Sequence, residues 1–160
     1  MKSNAWMAAI SATAILTACS GEASKPVAEA PAEPTREEII AHGKYIVEGV
    51  GMCGDCHTPM LPGGGYDASR SLAGAPTPGA PPPPGVPFAL VSVAIAGLPD
   101  GYTEDSLATF LADGTPGDGS PPLPPMPHYR MNAHDARATA AYLASLPKPA
   151  PAPAPTAPPT

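Results

Sequence analysis

The chain is short of large side chains, of charge and of cysteine. Its 160 residues hold two Phe, one Trp and five Tyr, so side chains alone give a small domain little bulk with which to fill a core. Charged residues make up 14%, and 8 Lys and Arg face 14 Asp and Glu for a formal charge of -6. With no basic surplus, nucleic acid is not an expected partner. The apolar run at residues 5–15 is too short to span a bilayer. Only three cysteines are present, Cys19, Cys53 and Cys56. They leave no second Cys pair to close a zinc site around Cys53 and Cys56, and no βαβ pattern provides the setting of a thioredoxin-like redox pair.

Set against these shortages is the run Cys53-Gly54-Asp55-Cys56-His57. C-x-x-C-H is the attachment signature of a c-type haem. If the segment turns helically, positions i and i+3 share a face, and both thiols can add to the two vinyl groups of one porphyrin. The adjoining His57 then falls under the iron as proximal ligand through Nε2. A single haem c, covalently bound, is therefore expected. Its apolar plate would enlarge the core that the sparse aromatics cannot fill.

The first residues read as an export signal. Met1-Lys2 is a short basic start, residues 5–15 are apolar, and Leu16-Thr17-Ala18-Cys19 follows. That last run resembles a bacterial lipobox, which implies cleavage before Cys19, lipidation of its sulfur and tethering to a membrane on the periplasmic side. Ser20 as the second residue favours the outer membrane. The alternative is ordinary cleavage that leaves Cys19 a free thiol. Export suits haem attachment, because both thiols must reach the ligation machinery reduced before an oxidising compartment pairs them. Loss of residues 1–18 also removes Lys2 and Trp6, leaving 142 residues, enough for one small domain, with 7 basic groups against 14 acids, a charge of -7.

Proline then divides the chain. Residues 19–34 combine the lipidated cysteine with an Ala/Pro/Glu-rich tether that has almost nothing to bury. At ~3.1 Å per residue, residues 22–34 reach roughly 40 Å in polyproline II. Residues 148–160 read as a disordered Ala/Pro tail, and residues 35–147 as the haem domain. Within that domain, Thr35-Arg36-Glu37-Glu38 resembles a capping box, and Ile39, Ile40, Tyr45, Ile46, Val47 and Val50 follow at helical spacings. A second helix starts after an N-cap at Asn132 and runs through Ala138, Ala141, Tyr142 and Leu146 to Pro147. A third covers residues 104–112, with Leu107, Phe110 and Leu111 inward and Gly114 ending it. The remainder reads as loop, and residues 75–87, with Pro81 to Pro84 consecutive, are expected to hold no regular element.

Several of these runs together resemble the class I c-type cytochromes, especially the cytochrome subunits of periplasmic alcohol, aldehyde and sugar-acid dehydrogenases. The matching residues are 43–51 leading into Cys53 to Pro59, then Leu72-Ala73-Gly74, Pro124-Pro125-Met126-Pro127, Asp135 and 141–147. The resemblance implies an all-α, cytochrome c-like fold of few helices around one haem, with long Pro/Gly-rich loops. It also implies that the N- and C-terminal helices cross beside the haem. Gly43 would allow their close approach and Tyr142 would pack there. A Pro-rich insertion after Gly74 departs from the family pattern.

The sixth iron ligand has three candidates. Met126 lies in a stiff loop flanked by Pro125 and Pro127 and matches the family's axial methionine. Met131, just before the Asn132 cap, is placed to pack as a hydrophobic staple, and His128 offers a bis-histidine alternative. Met126 is favoured. For the Nδ1–H of His57 the Pro59 carbonyl is an acceptor within reach, although any nearby carbonyl would serve. Arg70, Tyr66, Tyr129 and Arg130 are potential donors to the propionates. His42 reads as an exposed helix residue, and Glu37, Glu38 and Glu48 as a solvated face.

The expected function is one-electron transfer by a membrane-tethered monohaem carrier, not an enzyme. It would work between a periplasmic dehydrogenase or other donor and the respiratory chain, meeting a dehydrogenase, oxidase or other cytochrome. The alternative is a haem enzyme or gas sensor with an open sixth position, peroxidase-like. Residues 72–122 contain no histidine to serve such a site. A structural spacer lipoprotein would explain the Pro-rich arms but not the C-x-x-C-H run.

Overall fold

The computed structural model describes residues 32–79, 82–114 and 122–150. The signal segment, Cys19 and most of the tether lie outside these residues, as do 151–160 of the tail. The described chain is mostly helical.

Helix α1, Arg36–Tyr45, begins at the anticipated capping box. Glu38 N–H donates to Thr35 Oγ1 at 3.3 Å, and Thr35 N–H donates back to Glu38 Oε2 at 2.8 Å. Helix α1 then widens into a π turn at Ile46–Val50, closed by Gly51 N–H on Ile46 O at 2.7 Å. Helix α2 is the single turn Gly54–His57. Helix α3, Glu104–Asp113, starts on Thr103 and stops at Gly114, whose φ of 82° is the left-handed cap anticipated for it. Helix α4, Ala133–Ser145, starts at Asn132, whose Oδ1 accepts from the N–H groups of His134 (3.0 Å) and Asp135 (2.9 Å).

Helix α4 is buried almost all round, not along one stripe. Ala136, Ala138, Thr139, Ala140, Ala141, Tyr142 and Leu143 are all inside, because α1 packs on one face and α3 on another. Alanine makes this possible by keeping both approaches close. At the α1 crossing Gly43 is required: a Cβ there would overlap the Ala138 carbonyl and lie 2.8 Å from Tyr142 Cβ. Tyr142 packs at this crossing, as the resemblance implied, and donates its hydroxyl to Glu48 Oε1 at 2.8 Å. Glu48 is thus a partner in the crossing rather than only part of a solvated face.

One correction concerns residues 75–87. Ala75–Pro76 (β1) pairs antiparallel with Val91–Ser92 (β2), in the register Ala75↔Ser92 and Pro76↔Val91, and Thr77 N–H adds a bond to Leu90 O at 3.0 Å. Pro76 can take part because a two-residue edge pair does not require its missing N–H. Gly74, just before β1, has φ 84°, and its backbone passes so near Ser92 and Ala94 that a Cβ would lie 2.9 Å from each. The loop between α2 and α3 is thereby stitched back under the C-x-x-C-H turn.

Candidate functional site

The C-x-x-C-H run stands where α1 unwinds. The π turn passes the chain on, Cys53 N–H donates to Val47 O at 3.1 Å, and Met52 turns the backbone through φ 46° before α2 begins. His57 N–H then reaches Cys53 O at 3.0 Å, so the run is helical as its spacing suggested. Cys53 and Cys56 stand one turn apart, half-buried, with no disulfide between them. His57 points inward and is 7% exposed.

The acceptor for His57 differs from the one suggested by sequence proximity. Nδ1 lies 2.7 Å from the carbonyl oxygen of Val93, while Pro59 O accepts from Asp67 N–H at 2.8 Å. Val93 arrives beneath α2 because Gly74 N–H binds His57 O at 2.8 Å and Ile95 N–H binds Leu72 O at 2.9 Å. Burial lowers the pKa of His57, opposed by the Val93 bond. The result is a neutral imidazole whose Nδ1–H is donated to Val93 and whose Nε2 remains to bind a metal.

Cys53, Cys56 and His57 line a cavity of about 580 Å³, within the usual ligand-site range of ~300–1,000 Å³. Its other walls are mostly apolar, with Ile95 and Leu98 from the loop, Leu107, Phe110 and Leu111 of α3, and Leu143 of α4. Native interiors are close-packed, so a small domain that arranges its largest apolar side chains around such a space is built to hold a large apolar group. A thiol pair and a neutral imidazole on the same wall suit a haem specifically.

The methionine candidates separate by position. Met126 lines this cavity, half-buried, in a turn held by Ala89 N–H on Pro124 O at 2.8 Å and Met126 N–H on Leu123 O at 3.3 Å. Met131 does not line it; its sulfur accepts from Thr139 Oγ1 at 3.7 Å while the residue packs against the core. His128 is exposed and away from the wall. Met52 reaches the rim but is 57% exposed.

Of the four residues considered for the propionates, only Tyr129 lines the cavity. Its hydroxyl donates to Gly51 O at 3.0 Å, fastening the chain just before Cys53, and burial with the nearby Cys53 thiol pushes its pKa up to about 12. Burial likewise raises the pKa of the Cys53 thiol. Tyr66 instead stands beside Asp55 at a smaller hollow of about 280 Å³. The sequence reading missed Lys148 and Asp100, which both reach the cavity wall and pair at 2.5 Å. The packed chain therefore continues past Pro147, with Lys148 lying against Gly97. Also unforeseen is a polar cluster at the α1–α4 crossing, where half-buried His42 meets Asp135 at 2.7 Å.

No protein-family model matches the chain. It is similar to two curated proteins, both c-type cytochromes by name. The diheme cytochrome c-type of Cereibacter sphaeroides is 58% identical over 36 residues, which cover 22% of this chain and 12% of that protein. The cytochrome c subunit of the quinone alcohol dehydrogenase of Gluconobacter oxydans is 34% identical over 119 residues, 68% of this chain and 24% of that protein. The chain thus matches only a minor part of each relative's length. These likenesses support a c-type cytochrome, and the mostly helical structure is compatible with a cytochrome c-like fold.

Proposed function

We propose that the protein is a monohaem c-type cytochrome that carries single electrons and performs no chemistry on a substrate. The observation that carries this reading is the convergence of Cys53, Cys56, His57 and Met126 on one apolar cavity. Bound there, the haem supplies an iron that alternates between ferrous and ferric. The chain's own part is positional. Cys53 and Cys56 would hold the porphyrin through thioethers, His57 would offer Nε2 while Val93 fixes its tautomer and ring plane, and Met126 would offer its sulfur from the loop ahead of α4. Leu107, Phe110, Leu111 and Leu143 exclude water from the plate. One C-x-x-C-H run in the sequence accounts for one haem, although one relative is named a diheme protein.

The partner reading is a dehydrogenase or another respiratory redox protein, supported by the likeness to a dehydrogenase's cytochrome subunit. Lipidation at Cys19 and a periplasmic, membrane-tethered location complete the proposal, supported by the Leu16-Thr17-Ala18-Cys19 run and the extended tether.

An absorption spectrum tests the ligand set. Low-spin ferric protein with the weak far-red sulfur-to-iron band is expected, and Met126→Ala should abolish that band while the haem stays attached. If Met131→Ala abolishes it and Met126→Ala does not, the ligand is Met131. A high-spin spectrum in the unmodified protein would instead indicate an open sixth position.

A further inference from the structure

The polar cluster at the α1–α4 crossing has a composition that helix packing does not call for. His42 on α1 and His134 and Asp135 in the first turn of α4 present three donor atoms within 4.8 Å of one another. His42 Nε2 is 2.7 Å from Asp135 Oδ1 and His134 Nδ1 is 3.6 Å from the same oxygen. The two imidazoles stand 4.8 Å apart at 43°. A hydrogen bond joining the helices needs only one histidine and the carboxylate; the second ring adds a third ligand facing the same point. We propose that His42, His134 and Asp135 form a binding site for a divalent transition cation of the zinc class. It is separate from the haem cavity, whose walls include none of the three, and it does not rest on the haem reading.

Two imidazole nitrogens and a carboxylate oxygen are a donor set that such ions favour over magnesium or calcium. Around a tetrahedral zinc with ligand bonds of ~2.0–2.1 Å, donor atoms stand about 3.3 Å apart. To reach that spacing the His42 Nε2–Asp135 Oδ1 pair, now at 2.7 Å, would open by about 0.6 Å, while His134, 58% exposed with Nδ1 at 3.6 Å from the same oxygen, would turn to bring in the third donor. Metal sites also need fixed backbones and oriented ligands. The Gly43 contact with Ala138 locks α1 against α4, and Asn132 Nδ2–H donates to Asp135 Oδ2 at 2.8 Å, leaving Oδ1 turned toward the histidines. Coordination would replace the His42–Asp135 hydrogen bond: the proton that Nε2 donates there would leave to solvent, and the neutral ring would bind through Nε2 with its proton on Nδ1. Three protein ligands leave a fourth position for water, so the ion would cross-link the two helices from the surface.

The test is calorimetric titration of Zn²⁺ into the haem-loaded protein after treatment with a chelator. One Zn²⁺ per chain should bind, with affinity falling about tenfold or more in His134→Ala and further in His42→Gln, while the haem spectrum stays unchanged. His134 is exposed, so its replacement leaves the fold intact even if His42 proves needed for packing. Absence of binding up to millimolar Zn²⁺ would overturn the proposal. So would Zn²⁺ binding that His134→Ala leaves unaltered, which would place the ion elsewhere, for example on thiols that carry no haem.

Discussion

Two faces of α4, one residue apart in sequence, are built on opposite plans. Ala138 and Tyr142 meet α1 at Gly43, in a contact too close to admit one added methyl group. Thr139 and Leu143, about 100° further round the helix, line a cavity of about 580 Å³. The closed face is also tied by polar bonds, Tyr142 to Glu48 and His42 to Asp135, whereas the open face is walled by apolar side chains from α3 and the loops. The difference shows a division of labour. The closed face fixes where α1 ends, and hence where the C-x-x-C-H turn begins; the open face leaves room for a group that the turn can hold.

If that division is right, damage to the closed face should cost most. Gly43→Leu forces a side chain into the Ala138 backbone, which has no rotamer with which to yield. A stability loss of about 3 kcal/mol, at the upper end for overpacked sites, is expected from urea unfolding of the holoprotein. A loss below about 1 kcal/mol would mean that the helices separate easily and that the closed face is not the fixed one.

A smaller effect is expected at the cavity wall just ahead of the C-x-x-C-H turn. Tyr129→Phe deletes the donor to Gly51 O at the entrance to the C-x-x-C-H turn. About 1 kcal/mol should be lost while haem attachment persists. Unfolding and haem content of the same sample separate those two consequences.

The smallest effect concerns pH. The His42 hydrogen bond, helped by those from His134 and Asn132, holds Asp135 below its ordinary value of 3.8, and Arg36 similarly lowers Glu104 from 4.5. Since both folded values are depressed, the unfolded chain takes up protons first as pH falls. The stabilisation is present above these ordinary values and is lost as pH drops through the lower folded ones. Asp135→Asn should therefore lower stability slightly near neutral pH and flatten the same part of the acid limb, so that variant and unmodified protein converge in acid. An acid limb identical to that of the unmodified protein would remove Asp135 from the account.

What was legible in the sequence was local. The Thr35 and Asn132 caps, the Gly114 stop and the helical C-x-x-C-H turn depend on residues no more than four apart, and each is where its signal put it. Gly43 and Tyr142 were legible only through resemblance to c-type cytochromes. What escaped depends on folding at a distance. Val93 reaches His57 across 36 residues, Asp135 reaches His42 across 93, and the β1–β2 pair closes over a proline-rich loop. No propensity or spacing rule encodes those partners; the backbone bonds at Gly74 and Leu72 bring the first of them into place. The π turn escaped for a related reason, since a helix pattern continues through Ile46 and Val47 without announcing the extra residue in the turn.

The central claim is that the open face of α4 exists to hold one haem fixed by Cys53, Cys56 and His57. Intact mass and absorption of the exported protein, recorded after denaturation and extraction with acidified solvent, test it most directly. The account predicts one haem remaining on each chain, and none remaining in the Cys53→Ala/Cys56→Ala protein. An unmodified chain that emerges without haem, or that loses it to the solvent, would contradict the account.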